Sequence, residues 1–206
     1  MTAPDLTRRC PALVVIDSQR DFVTTGGSGG AIPTEDATDA LARIADLLRA
    51  AHELHVPVIF TQEAHRKERV DFGRELDGDE GVHCIEGSEG VDFRDETRPG
   101  DGDFIVVKRR YSGFFATDLD LLLRGLGADT VLLCGFGTDV CVHYTAIDAH
   151  QHDYHVFIAE DATRGTSAEA RVAALAAVEY LQSGCTVTSE DLIAALSAGC
   201  LPARGH

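Results

Sequence analysis

The segment Gly135-Phe136-Gly137-Thr138-Asp139-Val140-Cys141 joins the apolar run Val131-Leu132-Leu133-Cys134 to a stretch of helical spacing from Val140 to Ala149. That context predicts a cysteine in or near the first turn of a helix, where backbone N–H groups stabilise a thiolate. A nucleophilic cysteine needs such a setting, and the neighbouring amides could hold a developing oxyanion. Two further groups complement the sulfur. Asp17 stops the run Ala12-Leu13-Val14-Val15-Ile16, and Lys108 closes the run from Phe104 to Val107. A carboxylate can accept the thiol proton, and an ammonium can stabilise the resulting pair of charges. Taken singly, each has a commoner explanation: packing for Cys141, a cap or turn for Asp17, a solvated strand end for Lys108. What joins them is their common position beyond the ends of apolar runs.

Those runs define the scaffold. Ala12–Ile16 reads as a strand buried on both faces, and Val56–Phe60, Phe104–Val107, Val131–Cys134, His155–Ala159 and Thr186-Val187 read as five more. Helical spacing separates several of them: Ala37 to Leu48 with Thr34 as N-cap, Leu119 to Leu123, Val140 to Ala149, Ala168 to Leu181, and Asp191 to Leu196. The alternation predicts an α/β fold, a doubly wound, mainly parallel six-stranded sheet in three layers with helices on both faces. Ligands of such sheets bind beyond the carboxyl ends of the strands, where Asp17, Thr61–His65, Lys108, Gly135–Cys141 and Glu160-Asp161 all fall. The stretch from Glu63 to Asp103 lacks periodicity, as a functional loop would, and its phrase His83-Cys84-Ile85-Glu86-Gly87 suggests order beside the site.

A length of 206 residues suits one domain spanning 1–206. The net charge is −16 and the longest basic groups are Arg66-Lys67 and Lys108-Arg109-Arg110, which argues against a nucleic-acid surface. The six cysteines form no C-x-x-C pair, and no early apolar stretch has signal-peptide or membrane-spanning length. The expected setting is therefore reducing and cytoplasmic, without membrane attachment.

Three motifs carry a resemblance. Leu13-Val14-Val15-Ile16-Asp17-Ser18-Gln19-Arg20-Asp21-Phe22 resembles the opening motif of the isochorismatase-like cysteine hydrolases, a superfamily that includes the nicotinamidases. Val107-Lys108-Arg109-Arg110-Tyr111-Ser112-Gly113-Phe114 is similar to their lysine motif, and Gly135 to Val142, continued by Thr145-Ala146, to their nucleophile motif. The resemblance implies a triad of Asp17, Lys108 and Cys141, in which Cys141 attacks an amide carbonyl and a thioester is then hydrolysed. It also implies a cis peptide at Phe136–Gly137 that aims the Gly137 and Cys141 amides at the substrate oxygen. Phe22, Tyr111 and Phe114 match pocket-wall positions, which suggests a small planar amide, although core aromatics would read the same way.

Nicotinamidases of this superfamily hold a divalent metal through an Asp-x-His pair and further histidines; the corresponding positions here are Glu63, His65, Asp71 and His83. Such a set suits zinc, manganese or iron, with no organic cofactor. The competing explanation is plain hydrogen bonding within the loop. The resemblance leaves the substrate between a nicotinamide-like amide and a ureido or carbamoyl compound, and implies a homo-oligomer. Two rival functions stay open: vinyl ether hydrolysis, and a nucleotide-binding module suggested by Gly135-x-Gly137, whose third glycine position is occupied by Val140.

Overall fold

A computed structural model describes residues 6, 9–26, 31–32 and 34–199. Most of the loop expected at 26–30 thus lies outside the described residues. Six strands form one sheet: β1 (Pro11–Ile16), β2 (Val58–Glu63), β3 (Phe104–Lys108), β4 (Thr130–Phe136), β5 (His155–Arg164) and β6 (Thr186–Val187). The order across it is β3-β2-β1-β4-β5-β6 and every pairing is parallel. The expectation of a mainly parallel, doubly wound sheet holds. The chain starts in the middle, builds outward through β2 to β3, then crosses to β4, so a crevice opens where β1 and β4 part.

The helices are α1 (Thr38–Glu53), α2 (Leu119–Gly125), α3 (His143–Gln151), α4 (Ala168–Leu181) and α5 (Ser189–Gly199). Alternate residues of the central strands feed two cores. Leu13, Val15, Phe60 and Leu132 pack with Ile44 and Leu47 of α1 and Leu192 and Leu196 of α5. Val14, Ile16, Ile59 and Leu133 pack with Leu123 of α2, Ala146 of α3 and Leu175 and Val178 of α4. A strand with a core on each face has to be apolar throughout, which explains the unbroken run in β1.

The expected Thr34 cap is displaced. Helix α1 begins at Thr38, whose N–H donates to Asp36 Oδ1 at 2.9 Å, while the Thr34 hydroxyl donates to the Phe22 carbonyl at 3.2 Å. At α4 the Ser167 hydroxyl caps the helix by accepting from the Ala170 N–H. Gly135 sits where β4 passes β1. Its φ is +114°, and a Cβ there would lie 2.0 Å from the Ile16 carbonyl oxygen, so only glycine lets the two strands run side by side into the site.

The outer strand β3 is hydrogen-bonded only to β2 and leaves Phe104, Ile105 and Val107 partly open to solvent. No helix among the described residues is long and apolar enough to cross a membrane.

Candidate active site

Register alone brings three strand ends together. Ile16 lies opposite Thr61 of β2 and Gly135 of β4, and Glu63 lies opposite Lys108. Asp17 follows β1 with φ 45°, a left-handed conformation that Asp tolerates better than most residues. Its N–H donates to Thr61 Oγ1 at 3.2 Å, and the Thr61 hydroxyl donates to Asp17 Oδ1 at 2.7 Å. Lys108 Nζ then lies 2.8 Å from Asp17 Oδ2 and 3.5 Å from Cys141 Sγ, and it ion-pairs with Glu63 Oε2. Reactive atoms of Asp17, Glu63 and Cys141 lie within 4.8 Å of one another.

Cys141 is delivered by a turn of π-helix, Thr138–Val142, that runs directly into α3. Such turns recur at functional sites because they displace a side chain from the regular helical register. The peptide between Phe136 and Gly137 is cis. Gln19, within the first motif and two residues after Asp17, fixes the end of β2: its Nε2 donates to the carbonyls of Glu63 at 2.8 Å and Val91 at 2.9 Å, and its Oε1 accepts from the Glu63 N–H at 2.8 Å.

Four ionisable groups share this buried space. Burial pushes the Asp17 carboxyl up from its ordinary range, and the Lys108 ammonium only partly reverses it. Burial acts the same way on Glu63, but there Lys108, His65 and His83 prevail and hold the carboxyl well below its usual range. Lys108 is held well above the ordinary lysine range: burial disfavours its charge, yet Asp17, Cys141 and Glu63 outweigh that. The thiol departs from the expectation of an ionised sulfur. Burial pushes Cys141 well up, the adjacent carboxylates add to this, and the opposing Lys108 does not compensate. Burial and the two carboxylates thus disfavour a free thiolate, so attack by the sulfur calls for a base beside it.

A pocket opens over Cys141, walled by Phe22, Tyr111, Gly137, Val140, Glu80 and Thr166. Phe22 and Tyr111, two of the expected wall residues, border this pocket. Phe114 does not: it stacks on His152 with ring centroids 5.2 Å apart and tilts against Tyr154, packed on the α2–α3 face.

The candidate metal ligands also divide. His83 Nε2 lies 2.7 Å and His65 Nε2 3.3 Å from Glu63 Oε1. Asp71 stands aside, bound by the Arg66 backbone and guanidinium and by Arg109, with its carboxylate 3.7 Å from His65 Nδ1. Glu75, on a short 3₁₀ turn, takes its place with Oε2 3.3 Å from His65 Nε2. Glu63, His65, Glu75 and His83 are all buried, and their ligand atoms lie within 4.8 Å of one another. Both Glu75 oxygens are buried without a hydrogen-bond donor, so this donor set fits a divalent cation. The histidines also answer to the carboxylates: burial lowers them, but Glu63 and Glu75 raise His65 to about 9, and Glu63 raises His83. Two imidazolium ions would balance the same charges that a divalent ion would.

Glu75, Glu80, Val140 and Thr166 escaped the sequence reading. Val140 and Thr166 follow β4 and β5, so the rule of carboxyl-end ligands could have found them. For Glu75 and Glu80 no periodic signal exists in the acidic loop.

Comparisons with known proteins identify the family. A family profile for the isochorismatase domain matches residues 11–191. Ureidoacrylate amidohydrolase RutB of Azorhizobium caulinodans is 30% identical over 176 aligned positions, covering 77% of this chain and 78% of the relative. The zinc complex of Pyrococcus horikoshii pyrazinamidase superposes with a TM-score of 0.76 at 31% identity, over 87% of this chain and 99% of that one. N-carbamoylsarcosine amidase from Thermoplasma acidophilum gives 0.74 at 28% identity, over 87% and 96%. With the parallel sheet, the crevice at its centre and a profile match across most of its length, the chain belongs to the isochorismatase-like cysteine hydrolase superfamily.

Proposed function

We propose that the protein hydrolyses a small-molecule amide through a thioester on Cys141. The reading is supported above all by one ammonium, Lys108 Nζ, lying 2.8 Å from the Asp17 carboxylate and 3.5 Å from the Cys141 sulfur at the base of a pocket. Asp17, whose affinity for a proton is raised by burial, takes the thiol proton as sulfur attacks the carbonyl carbon. The N–H groups of Gly137 and Cys141 receive the oxyanion. As the C–N bond breaks, Asp17 passes the proton to the departing ammonia or amine. Water, losing a proton to Asp17, opens the thioester, and the sulfur recovers that proton as the carboxylic acid leaves. Lys108 stays charged throughout and holds the negative charge wherever it resides. Phe22 and Tyr111 orient a small planar group between them.

The relatives' names point to amide substrates of two kinds, ureido or carbamoyl compounds and an aromatic carboxamide. Ammonia release from nicotinamide, biuret, N-carbamoyl amino acids and maleamate tests the reading. At least one should be turned over, and alkylation of Cys141 should stop it. No release from any of them sinks the proposal, while turnover that survives alkylation favours vinyl ether chemistry. The dinucleotide alternative gains no support among the described residues, since its third glycine position is Val140, whose side chain lines the pocket over Cys141.

We also infer that Glu63, His65, Glu75 and His83 hold one divalent ion, zinc, manganese or iron. When bound it would supply a Lewis-acid contact for a substrate ring nitrogen or oxygen. Elemental analysis of the purified protein should find about one ion per chain, and Glu75→Gln should weaken zinc binding by about tenfold or more. Unchanged zinc affinity in that variant would leave the imidazolium–carboxylate network as the explanation of the cluster.

A further inference from the structure

The cavity over Cys141 is unusual in its charge. Glu63 and Glu80 are among the residues that line it, and no lysine or arginine is among the described lining residues. At the wider mouth Arg74 is joined by Glu75, Asp79, Glu80 and Asp139, and Arg74 is itself paired with Asp77 at 2.5 Å with its side chain 93% exposed. The Lys108 ammonium beneath is committed to Asp17 and Glu63.

Of these carboxylates, only Glu80 and the exposed Asp79 lack a partner among the described residues, and of the two only Glu80 also lines the inner pocket. Glu63 is neutralised by Lys108, Glu75 faces His65, and Asp139 is tied to the N–H and hydroxyl of Thr166 at 2.8 and 2.5 Å. Glu80 is half-buried, borders both the cavity and its mouth, and has no hydrogen bond or ion pair among the described residues. Its charge is felt across the space. Burial pushes the Tyr111 hydroxyl up, and Glu80 is the foremost of the charges that push it further. Glu80 itself is raised, by burial first and then by Glu63 and Glu75, against the pull of His83.

We propose that Glu80 sets the charge specificity of this cavity, so that amides whose far end is uncharged or cationic are accepted and those bearing a carboxylate are rejected. The physical basis is an unpaired carboxylate facing bound substrate where water is partly excluded: a like charge is repelled, whereas an N–H donor or cation supplies the partner that Glu80 lacks. Ureidoacrylate and N-carbamoylsarcosine, the compounds in two relatives' names, each carry a carboxylate, so this chain would differ from those relatives in substrate charge. The proposal rests on Cys141 as the nucleophile.

Two readouts test it. The first is the rate of labelling at Cys141, followed by peptide mass spectrometry, with iodoacetamide as the neutral reagent and iodoacetate as the anionic one. The exposed Cys10 is replaced by Ser. The ratio of the two rates is expected to exceed that of a free thiol by about tenfold, to fall severalfold in Glu80→Gln and to fall further in Glu80→Lys. This dependence on residue 80 is expected both in chelated protein and after zinc is added. The second is the ratio of kcat/KM for biuret or nicotinamide to that for N-carbamoylsarcosine, which should fall in the same variants through KM. A ratio indifferent to residue 80, or a parent enzyme that prefers the acids, overturns the proposal while leaving amide hydrolysis standing. No labelling and no turnover with any compound would instead remove Cys141 as the nucleophile, and the charge specificity with it.

Discussion

Cys141→Ala is expected to lower kcat for amide hydrolysis by at least about 10⁴-fold while the protein stays folded. The substitution deletes the only atom that can form the thioester, and residual turnover would have to come from water activated by Asp17. Its structural consequence is small. The side chain is buried but short, and its removal takes away a thiol that two carboxylates already crowd, so stability should move by less than about 1.5 kcal/mol. Cys141→Ser should also be severely impaired, because a hydroxyl is less acidic than a thiol and Asp17 would have to strip it of a more tightly held proton. Ammonia release together with a urea unfolding curve checks both halves. Residual activity above about 1% of the parent in the alanine variant would be incompatible with covalent catalysis.

Lys108→Met is expected to damage both rate and stability. Lys108 is 1% exposed, and its ammonium faces the buried carboxylates of Asp17 and Glu63. Without it two like charges remain out of water with no cation between them, at a cost of about 3–5 kcal/mol. The sign of the pH dependence follows from linkage. In the parent, Glu63 is held below its ordinary range, so its contribution is present above the unfolded value and fades as the pH falls through the folded one. In the variant, burial acts on Asp17 without the ammonium's opposition and carries it further above its unfolded value, while His65 and His83 still favour the ionised form of Glu63. Protonation then relieves the folded state, and the deficit relative to the parent shrinks on acidification. Urea midpoints at about pH 7.5 and 5.5 test this; a deficit that is the same at both pH values would mean that lost packing, not stranded charge, is responsible. The rate should fall by about 10² or more, and its acid limb should move upward, because Asp17 loses the cation that favours its ionised form.

The fold was legible because its central strands have a core on each face: Ala12–Ile16 and Val131–Cys134 are apolar throughout, and the groups beyond them had to emerge on one edge. The grouping of the proposed triad followed from that rule, since Asp17, Lys108 and Cys141 all end or succeed strands whose register brings them together. Strand ends were less visible. β2 extends to Glu63 because Thr61 and Gln62 continue the ladder beyond the apolar residues, and polarity at those positions resembles a turn. The loop between β2 and β3 was the opaque part. Its path is set by contacts distant in sequence, such as the His65 N–H donating to the Cys84 carbonyl at 2.8 Å and the stacking of Phe72 on His65 at 3.9 Å. No local pattern separates the buried Glu75 from the exposed Asp77, nor Glu75 from Asp71, which arginines claim. Phe114 failed for a related reason, since proximity to Lys108 in sequence says nothing about whether a ring will turn toward Cys141 or toward His152 and Tyr154.

The position of β3 at the margin of the sheet bears on how the enzyme would lose its activity. Lys108 is the terminal residue of a strand secured along one flank only, and marginal strands detach at lower free energy than central ones. Fraying there would withdraw the ammonium while β1 and β4 still hold Asp17 and Cys141. Inactivation by heat or denaturant would therefore begin as a local, reversible event at the rim, ahead of the collapse of the interior.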